Sequence, residues 1–254
     1  MNWEYFWWTD GTFIKNKMPK NFGFTHFDGT HIFWLVLAVV TFAVCSYFYR
    51  KCGKTGRKRF RFTVAGLILL DEIAKWVMLL STSQFTMNYL PLHLCTINIF
   101  VISVHIFKPF KAIDNFLYMI CIPAAMAALI FPTWTRQPIL NFMHIHSNTI
   151  HILLALYPIM LAVGGDIKPR ARQIWKGVLM LIGLAIPAYI VNHFFDTNYM
   201  FLAEAVPPLT VFEDIFGNHI IGFPILLAAI LIVMYVPIEI YRYVIKKEKV
   251  EKLK

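Results

Sequence analysis

Seven unbroken apolar blocks constrain what this chain can fold into more than any other feature. They run over about 31–49, 63–81, 91–107, 112–130, 143–163, 175–195 and 220–241. A helix needs roughly 20 apolar residues to cross the hydrocarbon of a bilayer, and within it every backbone N–H and C=O must find a partner inside the chain. Blocks of this length therefore predict membrane-spanning helices. Composition agrees, since 58% of the 254 residues are hydrophobic and 15% are charged, whereas a soluble domain carries about 25% charge. The chain reads as all-α, a polytopic membrane helical bundle of seven transmembrane helices. Residues 1–254 form a single integral membrane domain on this reading. The N-terminus lacks the basic region, short apolar stretch and small-residue cleavage site of a signal peptide, so none is expected to be removed.

Lysine and arginine orient the bundle. Arg50, Lys51, Lys54, Arg57, Lys58, Arg59 and Arg61 crowd the first connection, and the next, Ser81 to Leu90, has none. Lys108 and Lys111 follow between spans three and four, then Arg136 alone between four and five. Lys168, Arg170, Arg172 and Lys176 mark the fifth connection. The sixth, 196–219, carries Asp196, Glu204, Glu213 and Asp214 and no basic residue. Arg242, Lys246, Lys247, Lys249, Lys252 and Lys254 close the tail. Alternate connections thus hold nineteen of the 24 basic residues. By the positive-inside rule this places the N-terminus outside and the C-terminus in the cytoplasm. The net charge of +10 then reflects topology and contact with anionic lipid, and no nucleic-acid partner is expected. Trp3, Tyr5, Phe6, Trp7 and Trp8 precede the first span and read as an interfacial segment.

With this topology eight of the nine histidines lie toward the outside, His105 being the exception. Ionisable groups inside a membrane are costly and turn to the bundle interior or a wet cavity. Span three places His93, Cys95 and Asn98 in its outer half. On span five, His144, Asn148 and His151 share one helical face, and His146 points to the other side. On span six Tyr189, Asn192 and Asp196 form a polar stripe, with His193 beside it. Histidines also settle at helix ends for interfacial reasons alone, so clustering does not by itself make a site. Span two carries Asp71, Glu72 and Lys75 near mid-membrane, and the i, i+4 spacing lets Asp71 pair with Lys75.

Three chemistries fit this polar set. Cysteine is a nucleophile as its thiolate, and a neighbouring histidine activates it. Among Cys45, Cys52, Cys95 and Cys121, only Cys95 falls in the outer polar zone, although a packing role is the commoner fate of a buried cysteine. The four are too scattered for a zinc or disulfide framework. Histidines with an acidic residue bind metal, and His144, Asn148 and His151 with His193 or Asp196 could do so, but no H-E-x-x-H motif is present. Prolines at 123, 158, 187, 224 and 237 interrupt spans as in transporters, yet no inverted repeat accompanies them.

Two short motifs add a resemblance. Leu90-Pro91-Leu92-His93-Leu94-Cys95 resembles the L-P-L-H-L-C signature opening the third span of YwaF-like bacterial integral membrane proteins. Asn198-Tyr199-Met200-Phe201-Leu202 resembles their N-Y-M-[YF]-L motif, and the fifth span with His151 and Ala155-Leu156-Tyr157 is similar too. The likeness covers the seven-span layout. It departs where family members carry a basic residue, a K-P pair and G-P-W-P-W-Y. Here Ala203-Glu204-Ala205-Val206-Pro207-Pro208 and Gly217-Asn218-His219 stand instead, which implies different recognition by this loop. The resemblance implies a bacterial plasma-membrane protein. It also implies kinship with eukaryotic cysteine-dependent multi-pass phospholipid acyltransferases. Carried over, Cys95 is the nucleophile, His151 or His146 the base, and a membrane lipid the substrate, with no cofactor. His93, Asn98, His144, Asn148, Asn192, His193, Asn198 and Tyr199 then become candidates for binding it. The alternatives are a non-enzymatic transporter or ligand-binding protein, and a histidine-ligated hydrolase.

Overall fold

Among the described residues the chain forms ten α-helices: α1 Asp10–Lys15, α2 Gly29–Lys51, α3 Lys54–Ser81, α4 Leu94–Phe107, α5 Lys111–Phe116, α6 Ile122–Ile130, α7 Phe142–Gly164, α8 Ile174–Phe194, α9 Thr210–Phe216 and α10 Gly222–Glu251. This computed structural model describes residues 3–206 and 209–251, with side chains through Val244. Pro207, Pro208, Lys252 and Lys254 lie outside the described residues. Helix accounts for 76% of the structure, and no strand occurs among the described residues.

Among the described residues, six helical segments are long and apolar enough to cross a membrane. They are Gly29–Lys51, Met87–Phe107, Lys111–Ile130, Phe142–Gly164, Ala171–Phe194 and His219–Val244. The third of these joins α5 to α6 through one π turn, Leu117–Cys121. At 28 residues α3 is the second longest helix, but its charges keep it out of this set by composition.

Helix ends form where the sequence supplies caps. Asp28 accepts the His31 N–H at 2.9 Å to start α2, and Asn141 accepts the His144 N–H at 3.0 Å to start α7. Gly165, at φ +77°, closes α7 in the left-handed region that glycine enters without a Cβ penalty.

The centre of the bundle is α7, which packs against α2, α3, α4 and α6. Its Leu154, Ala155, Tyr157, Met160 and Leu161 are almost wholly buried. By contrast α8 and α10 present Leu179, Ile182, Ile186, Ile232 and Val233 to the surroundings. An apolar surface of this kind is stable against lipid and costly against water.

Polar contacts pin both ends of the bundle. At the basic end Arg57 reaches Asp166 at 3.1 Å and the Gly164 carbonyl at 2.7 Å. His105, in the last turn of α4, bonds the Tyr157 hydroxyl at 2.9 Å and Asp114 at 3.1 Å. At the opposite end the N-terminal residues fold onto the bundle. Asn141 donates to the carbonyls of Tyr5 at 2.6 Å and Trp8 at 2.7 Å. Gln84 donates to the Trp7 carbonyl at 2.7 Å and accepts the Thr9 N–H at 3.0 Å. Phe13 and Phe24 are buried, while Trp3 and Trp7 stay exposed. The aromatic segment is thus a folded cap with an outward aromatic fringe.

The spacing on α3 suggests an Asp71–Lys75 pair, and the structure corrects it. Lys75 Nζ lies 2.6 Å from Glu72 Oε1, one residue closer along the helix. Asp71 instead accepts from Thr149 at 2.7 Å and meets His146 Nδ1 at 3.0 Å, both on α7. Spacing tells which groups on one helix can meet. It does not reveal that a second helix offers Asp71 two better donors.

Candidate functional site

Pro91 keeps the start of α4 irregular. Helix begins only at Leu94, and His93 sits at the N-cap with extended backbone (φ −69°, ψ 147°). His93 and Cys95, which a regular helix separates by about 200°, can therefore serve the same region. Cys95 stands in the first turn of α4, half-buried, with its sulfur 4.0 Å from Thr96 Oγ1.

His151, on α7, is close enough to the Cys95 thiol to act on it electrostatically and as a polar neighbour. Its other nitrogen, Nδ1, lies 2.6 Å from the Ser147 carbonyl, one turn back on α7. A carbonyl only accepts, so Nδ1 carries the proton and Nε2 is left with its lone pair. The indole of Trp134 stacks flat on the His151 ring, with centroids 5.5 Å apart and planes 6° apart. His151 therefore has its tautomer set by Ser147 and its plane set by Trp134.

His93 packs edge-on against Tyr199 at 4.9 Å and lies 6.2 Å from Phe201. The Tyr199 hydroxyl donates to the Met87 carbonyl, just before the Leu90–Cys95 segment. Burial pushes the Tyr199 phenol up, and it stays a neutral donor. The two motifs, distant in sequence, thus lie against one another. Met200 and Phe201 hold positive φ values of 55° and 58°, an arrangement that side chains rarely adopt and that marks a tightly determined turn. His219 Nε2 supports it at 3.2 Å from the Phe201 carbonyl.

Several other candidates are engaged in building the fold. His144 is fully buried; its Nε2 accepts from Trp34 Nε1 at 2.8 Å and its Nδ1 bonds the Gln137 carbonyl at 2.9 Å. Asn148 donates to the His144 carbonyl at 2.8 Å. His146 lies on the other face of α7, with Asp71 and, at 4.0 Å, Glu72. Asn192 shapes the turn after α8, donating to the Tyr199 carbonyl at 2.9 Å and accepting its N–H at 2.8 Å. Asn198 accepts from the backbones of Ala203 and Glu204 at 3.0 Å and donates to the Glu204 carbonyl at 3.0 Å. His193, Asp196 and Tyr189 are exposed, so the expected stripe on span six divides, with only Asn192 facing inward contacts.

Asn98 is different. Its side chain is 1% exposed, and its Oδ1 has no hydrogen-bond partner among the described residues. It lies one turn after Cys95. Lys75, buried with Glu72, acts electrostatically on both Cys95 and His93. No group of three His, Cys, Asp or Glu side chains suited to a metal ion occurs among the described residues.

Sequence reasoning passed over Trp134, Ser147 and Lys75 as partners of the Cys95 region. A tryptophan between two spans reads as an interfacial anchor, and a backbone carbonyl leaves no mark in sequence.

The fold and its interior polar cluster define a multi-pass helical membrane protein with a cysteine and a histidine apposed inside one end of the bundle. More particularly, the chain belongs to the TMEM164 family, whose family model matches residues 22–235. No curated protein and no solved structure matches it.

Proposed function

We propose that this protein is a cysteine-dependent lipid acyltransferase or acyl hydrolase working near the outer leaflet. One feature carries the reading: His151, on a different helix, is close enough to act on the Cys95 thiol, and the Ser147 carbonyl holds its imidazole in the tautomer suited to take a proton. The likeness of the Leu90–Cys95 and Asn198–Leu202 motifs to YwaF-like proteins and their cysteine-dependent acyltransferase relatives supports it. So does the packing of these two motifs through Tyr199 and His93.

The chemistry balances with these two residues. His151 Nε2 takes the thiol proton as Sγ attacks the carbonyl carbon of an acyl ester. The tetrahedral intermediate collapses, the ester C–O bond breaks, and the departing alkoxide receives the proton from His151. The acyl chain is left as a thioester on Cys95. A lysolipid hydroxyl or water then gives its proton to His151 and attacks the thioester. The thiolate leaves and regains the proton. An oxyanion forms in each half-reaction and needs donors. Of Asn98, Asn148 and Asn198, the latter two already donate elsewhere, so Asn98 is assigned.

The proposal includes seven spans in one domain, an external N-terminus and a cytoplasmic C-terminus, in a bacterial plasma membrane. Features of α3 support the seventh span. Asp71, Glu72 and Lys75 are all paired toward the bundle, while Leu67, Leu70, Ile73, Val77 and Leu80 face outward. Charges turned inward and paired remove the main cost of inserting such a helix.

The test is acyl transfer by purified protein reconstituted with radiolabelled phospholipid and lysolipid. Cys95→Ala should abolish turnover, and His151→Gln should lower kcat by about 10²–10⁴-fold. Full turnover by Cys95→Ala sinks the proposal and favours a binding or transport role.

A further inference from the structure

We propose that Trp134 donates its indole N–H to the oxyanion formed at Cys95, in addition to the donor assigned to Asn98, because its unpartnered buried Nε1 belongs to the ring stacked on His151. This inference rests on the acyl-transfer reading of Cys95 and His151 and deepens it.

Three observations carry it. First, Trp134 Nε1 is buried and has no hydrogen-bond partner among the described residues. Buried indole N–H groups ordinarily find acceptors. Here Trp34 donates to His144 at 2.8 Å and Trp76 donates to Glu72 at 2.9 Å. An orphaned donor on a ring stacked against the base of the proposed pair is what an oxyanion site presents before substrate arrives.

Second, the donor is fixed in place. The loop after α6 is held by Thr135 Oγ1 to the Lys20 carbonyl at 2.8 Å. The Gly23 and Phe24 N–H groups donate to the Thr135 carbonyl at 3.0 and 3.1 Å. The Gln137 N–H donates to the Trp134 carbonyl at 3.1 Å. A donor that need not reorganise is worth far more to a transition state than a mobile one.

Third, competing donors near the site are engaged. His144, Asn148 and Asn198 all use their N–H groups in the fold. Lys75 is paired with Glu72.

In the proposed step Cys95 Sγ bonds to the acyl carbon while His151 takes the proton. The carbonyl π pair moves onto oxygen, which accepts from Trp134 Nε1–H. The same bond weakens as the carbonyl re-forms and the alkoxide leaves.

A stacking role and a donor role are separable, since alkylation of a thiol builds no oxyanion and acylation does. The experiment uses the purified full chain in nanodiscs. Two rates are measured: the p-nitrophenolate burst with p-nitrophenyl decanoate, and modification of Cys95 by iodoacetamide. Trp134→Phe keeps a ring on His151 and deletes the N–H. Its burst rate should fall about 10²-fold, with alkylation within about two-fold of the parent protein. Should Trp134→Phe fail to fold, β-(benzothienyl)alanine at position 134 removes the N–H alone, and the same split is expected. An unchanged burst, or equal loss of both rates, overturns the donor role. Cys95→Ala runs alongside. A burst that needs Cys95 but ignores the indole N–H defeats this inference only, whereas a burst surviving Cys95→Ala defeats the acyl-transfer reading as well.

Discussion

Lys75→Met should destabilise the protein by about 3 kcal/mol, the low end of the 3–5 kcal/mol typical for breaking one side of a buried ion pair. Lys75 and Glu72 are 7% and 9% exposed, with N and O 2.6 Å apart. At that distance, with an effective dielectric near 20, the attraction is about 6 kcal/mol, and desolvation of the two ions offsets much of it. The low end applies because Glu72 keeps two other partners. The Trp76 indole donates to it at 2.9 Å, and His146 lies 4.0 Å away. A loss of 3 kcal/mol is a factor of roughly 150 in the folding equilibrium. The double substitution Glu72→Gln/Lys75→Met removes both charges and leaves an acceptor for Trp76. It should cost only about 1 kcal/mol, about 2 kcal/mol less than Lys75→Met alone, because no unpaired charge is left buried. Unfolding by added SDS in mixed micelles, followed by tryptophan fluorescence, measures both variants. A loss below about 1 kcal/mol for Lys75→Met refutes the reasoning. So does a double variant at least as damaged as Lys75→Met.

Trp34→Phe removes the donor to His144 Nε2 and leaves a buried acceptor unpaired, so stability should fall by about 1–3 kcal/mol in the same unfolding assay. The Cys95 alkylation rate should stay unchanged, since His144 belongs to the fold and not to the proposed Cys95–His151 pair. At Asp28, burial raises the carboxyl pKa, but N–H groups from Thr25 and His31 outweigh it and hold the group below its ordinary 3.8. A depressed carboxyl stabilises above its unfolded pKa and loses that contribution as pH falls through the folded value. The start of α2 should therefore loosen only below about pH 3.8, seen as faster hydrogen exchange at Ile32. Asp28→Ala should cost about 1 kcal/mol at neutral pH, and equal exchange in both proteins excludes the cap.

Much of the secondary structure is legible in sequence. The blocks at 31–49, 143–163 and 175–195 lie within helices at Gly29–Lys51, Phe142–Gly164 and Ala171–Phe194, or overrun them by a single residue. Helix length and apolarity are local properties, and membrane insertion makes them decisive. The connection 196–219 reads as too long for a simple loop, and it contains a 3-10 turn and α9. The block at 63–81 reads as a span by length, yet it is the one whose charges set it apart from the six apolar helices.

The polar cluster is only half legible. Helical spacing places His144, Asn148 and His151 on one face, and all three are buried. Spacing cannot show that His144 is taken up by Trp34, or that His151 is left to face Cys95. Asn192, Asn198 and His193 look equivalent as polar residues near a span end. Two of them tie a turn together and the third is exposed.

Sequence alone determined that this chain is helical, membrane-bound in several passes and basic at alternate connections. Those properties follow from the cost of unpaired backbone and of charge in hydrocarbon, summed over neighbouring residues. Tertiary structure alone decided which polar groups meet. Lys75 takes Glu72 and releases Asp71 to α7, Tyr199 lies on His93, and Trp134 covers His151 with a free N–H. Such pairings depend on how each helix is rotated and how deep it sits against its neighbours. Packing of the whole bundle sets both, and no single segment encodes them.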